Sequence, residues 1–252
     1  LDLAPFGLPV LERVDPLSTR STPFLDRLQH LDHLTFGPEG LPMPRWVFFD
    51  CAELPAAIFG FGIPARDAHP RTRELFGLEA TADGLIPYSM YAALPMFRAG
   101  HWFGHNLSSL APVLDDHDPS GPSLKGLGTI TKALGLKVFG VERLLGATQW
   151  ASTALFIHAK FGPLEVVTSY TPAHSEPETL TYAVDIDDAR LRASLGDPAS
   201  TIVRPAPVDT LRSDDTGELV RLQDRIEAGE RFVVTGPPRR EGRVNLVPIA
   251  PG

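Results

Sequence analysis

Two glycines spaced two apart, in Ser123-Leu-Lys-Gly126-Leu-Gly128, stand just before a run with helical apolar spacing. Glycine lets a backbone come close to a ligand, and the first turn of a helix offers N–H groups at its positive end. In this order the two make a site for phosphate. Lys125, Lys132 and Lys137 surround the same stretch, either as partners for an anion or as a solvated helix face. His105, His158 and His174 are the titratable side chains placed to move protons near neutral pH. Each also has a plainer use as a packed or hydrogen-bonded strand, helix or turn histidine.

Other groupings promise less chemistry. His30 and His33 flank Asp32 at helical spacing, but no third metal ligand is in sight. Asp115, Asp116, His117 and Asp118 crowd one short run without a glycine-shaped turn, which reads as a solvated loop. No metal site is expected. Gly104-His-Asn-Leu-Ser108-Ser109 lacks the spacing of a nucleophile elbow. Cys51, the single cysteine, sits in an apolar run and reads as a small buried hydrophobe.

The chain has 252 residues, 43% hydrophobic and 21% charged, which suits a globular protein. A net charge of −8 argues against a general nucleic-acid binder. No apolar run reaches the roughly 18 residues that span a bilayer, and the residues given carry no charged-then-apolar leader. One cysteine excludes an internal disulfide and fits a reducing compartment. The expectation is a cytoplasmic protein with no membrane partner.

The elements that must position these residues follow from periodicity. Residues 1–20 are proline-rich and read as an arm. Phe24, Leu25, Leu28, Leu31 and Leu34 predict a helix that stops near Gly37-Pro38. Trp46 to Cys51 reads as a strand, with Glu53-Leu-Pro55 as a turn and Ala56 to Gly62 as its continuation or antiparallel partner. Arg71 to Phe76 is a short helix or a loop. Leu85 to Phe97 and His101 to Val113 read as strands, and Asp115 to Pro122 as a loop. Then come a helix over Gly128 to Val138 capped by Gly140, a strand over Glu142 to Thr148 and a helix over Ser152 to Phe161. Strands over Leu164 to Tyr170 and Thr179 to Ile186 follow. Beyond 187 the chain is Asp- and Arg-rich, with a helix over Glu218 to Ala228, a strand over Arg231 to Thr235 and a Gly/Pro-rich tail. This makes an α/β (α+β) fold: a central mixed, mostly antiparallel sheet flanked by helices, with a C-terminal extension.

This order of elements resembles the GNAT superfamily of acyl-CoA-dependent N-acyltransferases. Gly126 and Gly128 match the glycines of the family's pyrophosphate loop, with Ser123 where Gln or Arg is usual. Ala151-Ser-Thr-Ala154-Leu-Phe-Ile-His158-Ala-Lys160-Phe-Gly162 keeps Ala154, Lys160 and Gly162 of the second motif. There Ala151 replaces Asn and His158 replaces Tyr. The resemblance covers about residues 21–170 and divides the chain into an arm (1–20), an acyltransferase-like domain (21–175) and an extension (176–252).

The resemblance implies acyl-CoA as co-substrate. Leu124, Lys125, Gly126, Leu127, Gly128 and Thr129 would hold the pyrophosphate. Leu110, Ala111 and Val113, taken as the end of the preceding strand, would pair with the pantetheine arm. A small amine would attack the thioester directly, with His158 as acid, His105 as candidate base and His174 on a nearby loop. The two replacements leave other uses of the same cleft open: decarboxylation or hydrolysis of an acyl thioester, or binding without catalysis. Tyr88, Tyr91, Phe97, Trp102 and Trp150 are either core or room for an acyl group larger than acetyl. The extension is expected to cover a sheet edge, packing on or beside the core, or to form a homodimer contact.

Overall fold

A computed structural model describes Asp15 and residues 18–53, 58–117 and 124–252. In chain order the elements begin with α1 (Thr22–Phe36), α2 (Arg45–Glu53), β1 (Ile58–Pro64), α3 (Pro70–Leu75), β2 (Leu85–Pro95) and β3 (His101–Ser109). Next come α4 (Ala111–His117), α5 (Leu127–Phe139), β4 (Arg143–Gln149), α6 (Ala154–His158), β5 (Leu164–Thr168) and β6 (Thr179–Asp185). The chain closes with α7 (Asp188–Ser194), β7 (Asp209–Arg212), α8 (Thr216–Glu227), β8 (Phe232–Val234), β9 (Arg239–Glu241) and β10 (Val244–Pro251). The architecture is mixed α/β, with a mostly antiparallel sheet flanked by helices, as the alternation of patterns predicts.

Packing divides the chain into two compact units. Unit one takes Leu1–Leu94 and Asn106–Phe139; unit two takes Pro95–His105 and Gly140–Gly252.

In unit one β1 pairs antiparallel with β2. Leu25, Leu28 and Leu31 of α1 pack with Val47, Phe48 and Cys51 of α2, and with Met43, Met90 and Leu110. Trp46 to Cys51 is therefore helix, not the predicted strand. A continuous apolar run fits either element. Here positions 47, 48 and 51 fall on one helical face against α1, and that burial decides it. The predicted turn at Glu53-Leu-Pro55 and the start of the next strand fall largely outside the described residues.

The second correction concerns His101 to Val113. The strand ends at Ser109, whose Oγ accepts the Ala111 N–H at 3.2 Å, and α4 begins there with Pro112 in its first turn. Proline is tolerated at that position because its missing N–H has no helical partner. Leu110 and its neighbours lie past the strand, and the Leu110 N–H donates to the Tyr88 carbonyl at 2.8 Å.

One set of buried polar groups inside unit one is tied down. Asp32, fully buried, accepts from Met43 N at 2.6 Å and Asn106 Nδ2 at 2.8 Å. Ser108 Oγ donates to Asn106 Oδ1, and Thr35 Oγ1 to Ser108 Oγ. The bland reading of Asp32 beside two histidines thus hides a structural role: its carboxylate ties α1 to β3. On the other side, Gly135 lets α5 close on β2, because an added Cβ would stand 2.9 Å from Tyr91 Cδ1. Tyr91 and Phe139 stack at 6.2 Å.

Unit two holds the strand order β3–β4–β6–β5–β8–β10–β7, with β9 on β10. β3 and β4 are parallel over His101–Gly104 and Arg143–Gly146. The other pairings in this unit are antiparallel. Residues 187–252 build four of these strands. The expected Gly/Pro-rich tail is β10, with Asn245, Val247 and Ile249 buried at alternate positions. Prolines at 248 and 251 disguise it, since proline weakens a strand assignment. Pro248 still contributes its carbonyl, which accepts from Thr235 N at 2.9 Å. The predicted helix over Ser152 to Phe161 is shorter: α6 and then a 3-10 turn, Ala159–Phe161.

Lys132, 1% exposed on α5, gives a measurable consequence. Burial lowers its ammonium to about 7 from an ordinary 10.5. Between those values the unfolded chain holds the proton and the folded chain does not. Stability therefore rises with pH through that window, by up to roughly 1.4 kcal/mol per pH unit, and this group adds no slope below it. Lys132→Met should remove the rise, read from urea midpoints taken across that range. An identical slope in the variant would mean that Lys132 stays charged in the folded protein.

Candidate active site

Unit two brings several polar side chains to the end of its one parallel ladder. The ladder closes on the pair Gly104 and Gly146. On the other side of β4, Tyr182 of β6 is the register partner of Gly146. The Tyr182 hydroxyl lies 2.5 Å from where a Cβ of residue 146 would stand. Glycine is needed at 146 because the phenol fills that space. The His158 ring lies 5.3 Å from the Tyr182 ring, tilted by 34°, and both residues are buried. His105 is the first residue of β3 past the ladder; it is exposed, and its ring meets Phe103 edge-on at 6.5 Å.

His174 has a different setting. It is exposed in the turn between β5 and β6, where its N–H donates to Thr171 O and its Nδ1 accepts from Glu176 N at 3.0 Å. That ring nitrogen fastens the turn. Of the three histidines, His158 alone packs on Tyr182.

The segment carrying His158 is held at both ends by residues from late in the chain. Before α6, Asn245 Nδ2 donates to the carbonyls of Trp150 and Ser152 at 2.8 and 3.0 Å. After α6, Arg204 Nη2 donates to Ala159 O at 2.7 Å, and its Nη1 to Thr235 O at 2.9 Å. Burial, and then the charge of Arg190, lower the Arg204 guanidinium below its ordinary value. At the foot of the ladder, Arg143 bonds Asp185 and Glu165 on the next two strands, Asp185 first, which raises its own pKa. These three side chains are partly exposed, so the cluster sets alignment more than stability.

The residues expected to meet the nucleotide lie in unit one. Lys125 and Gly126 form an exposed turn, Gly126 at φ 90°, and α5 starts at Leu127. The Leu124 carbonyl accepts from Leu127 N, and the Gly126 carbonyl from Ile130 N, both at 3.0 Å. Gly128 and Thr129 are buried within the first turn. Pro122 and Ser123 fall outside the described residues. Leu110 is fully buried, Ala111 buried and Val113 half-buried. The N–H groups of Leu110 and Ala111 are already bonded, to Tyr88 O and Ser109 Oγ, so neither is a ready donor for a pantetheine arm. Among the described residues no group of three or more His, Cys, Asp or Glu could hold a metal, and no helix is long and apolar enough to cross a membrane.

Tyr182, Asn245 and Arg204 escaped sequence reasoning. Strand alternation puts Leu180, Tyr182 and Val184 on one face, but only the β4–β6 register sets Tyr182 on Gly146. For Asn245 and Arg204, in proline-rich stretches, the sequence carries no signal.

No protein-family profile matches the chain, and no curated protein sequence does. Two solved acetyltransferase structures are similar to it. One is aminoglycoside 6'-acetyltransferase type Ii, at 12% identity and TM-score 0.43 over 71% of this chain and 98% of that one. The other is an IAA acetyltransferase from Bacillus cereus ATCC 14579, at 18% identity and TM-score 0.32 over 52% of this chain and 100% of that one. At these values neither likeness decides an activity.

The contact of Gly146 with Tyr182 predicts that Gly146→Ala displaces the phenol. A loss of roughly 1–3 kcal/mol is expected, as for overpacking in a filled core. Gly146→Ala combined with Tyr182→Ala should then cost less than the sum of the two changes, measured as a double-mutant cycle in urea. Simple additivity would mean that the phenol moves aside freely.

Proposed function

We propose that this protein is an acyl-CoA-dependent acyltransferase that moves an acyl group to a small amine by direct attack. The observation that supports this most is the parallel β3–β4 ladder ending at Gly104 and Gly146, with Tyr182 packed on Gly146 and His158 packed on Tyr182. The motif resemblance at Gly126-Leu-Gly128 and Ala154-to-Gly162 points to the same chemistry.

In this reading the amine nitrogen attacks the thioester carbonyl and a tetrahedral oxyanion forms. A strand N–H beyond the ladder, at His105, takes the developing charge. His105 accepts the proton that the amine loses, directly or through water. As the C–S bond breaks, His158 gives its proton to the departing CoA sulfur, and the Tyr182 ring keeps the imidazole in place. His174 is left out, since its Nδ1 holds a turn. Lys125, Gly126 and the first turn of α5 take the diphosphate, by charge and by N–H groups. Leu110 and Ala111 contribute as buried framework rather than as pantetheine donors, while Val113, half-buried in the first turn of α4, keeps its place beside the arm.

Thermal melting with CoA, acetyl-CoA and a longer acyl-CoA tests the cofactor. A ligand that binds only the folded state raises the melting temperature once its concentration exceeds Kd. A shift is expected with all three, and none at millimolar concentration would remove the reading. Lys125→Glu should weaken CoA about tenfold, with the gap narrowing at high salt. Gly126→Val tests the same turn less cleanly, because a φ of 90° strains any β-branched residue there.

His158→Phe should lower kcat by about a hundredfold or more while leaving CoA affinity unchanged. Thioester consumed without any amine acceptor would instead indicate hydrolysis or decarboxylation. CoA binding without turnover on any amine would leave a binding protein.

A further inference from the structure

An open cavity of about 640 Å³ lies within unit two, lined by residues that include Lys160, Leu195, Ser200, Ile202, Arg204 and Pro237. Two lining residues are cations and none is an acid, in a chain whose net charge is −8. The nearest carboxylate in sequence, Asp197, is already engaged by Ala199 N, by Ser200 Oγ and by Arg192. Among the described residues, the groups to which Arg204 donates are backbone carbonyls, which carry no net charge. Arg190 stands close enough to depress the Arg204 guanidinium further. Arg190 itself already has Asp187 as a partner, so an acid is lacking only at Arg204 in this pair, and a guanidinium suits a carboxylate in shape and charge. The apolar lining of Leu195, Ile202 and Pro237 suits a short hydrocarbon body.

We propose that this cavity binds a small aliphatic carboxylic acid, its carboxylate held by Arg204 and its chain laid against Leu195, Ile202 and Pro237. The site stands whether or not the acyl-transfer reading, with His158 as acid, holds. It does touch the same segment, because Arg204 also fixes the Ala159 carbonyl, one residue after His158.

The test is calorimetric titration of the full chain, without CoA, by sodium hexanoate, hexan-1-ol and inorganic phosphate at constant ionic strength. Saturable one-site binding of hexanoate in about the millimolar range is expected, with neither hexanol nor phosphate binding. Arg204→Gln should weaken hexanoate about tenfold or more, but it also removes bonds that hold the fold. Leu195→Trp therefore decides: from a partly exposed position it fills the cavity, and it should weaken hexanoate by a similar factor with an unchanged melting temperature. No saturation by hexanoate, equal binding of hexanol, binding of phosphate alone, or hexanoate binding unaffected by Leu195→Trp would each overturn the proposal.

Discussion

One parallel strand pair in an otherwise antiparallel unit governs how this chain is laid out. Antiparallel neighbours close through tight turns, whereas a parallel pair needs a crossover with an element of its own. Between β3 and β4 the chain leaves unit two after His105 and re-enters it at Gly140. The intervening residues make α4, the Lys125-Gly126 turn and α5. The glycine turn and the helix it opens are thus consequences of the one parallel ladder. The ladder itself ends at Gly104 and Gly146, where Tyr182 packs on the second glycine.

The late part of the chain acts on that region more than its composition suggests. α6 spans only Ala154–His158, too short to hold its shape unaided, since isolated helices of that length do not persist in water. Asn245 ties the turn before it, and Arg204 the turn after it. Asn245 is fully buried, so each of its bonds is worth more intact than its net value suggests. Breaking one strands a polar group without water. Residues 187–252 therefore supply sheet edge and clamps at once.

Unit one shows the same economy of polar groups, with different outcomes. The Asp32–Asn106–Ser108–Thr35 chain is bonded throughout, and its members fix α1 to β3. Tyr91, in contrast, buries a hydroxyl with no hydrogen-bond partner among the described residues, and burial pushes its pKa up. Lys132 sits equally deep, its pKa driven down by burial. Such groups make the interior of α5 and β2 sensitive to pH, where an apolar interior would be indifferent.

Local pattern was enough for α1, β2, β4, β6 and α8, because each has its own periodicity and ends in residues suited to the task, such as Gly140 after α5 and Asp215 before α8. The order of these elements, the glycine turn before α5 and the His158 segment were equally legible. The helix at Arg45–Glu53 was not, because an apolar run takes its state from what it packs against. Nor was the end of β3, where a serine cap stops a strand that hydropathy would extend. β10 was hidden by prolines that a strand accepts where carbonyls alone are needed. The polar cluster at Gly146 lay further beyond sequence reading. Tyr182 meets Gly146, His158 meets Tyr182, and Asn245 and Arg204 reach the turns around α6 only through strand register and long-range hydrogen bonds. Periodicity reports which side of an element is buried; which residue lies across from it is a property of the folded sheet.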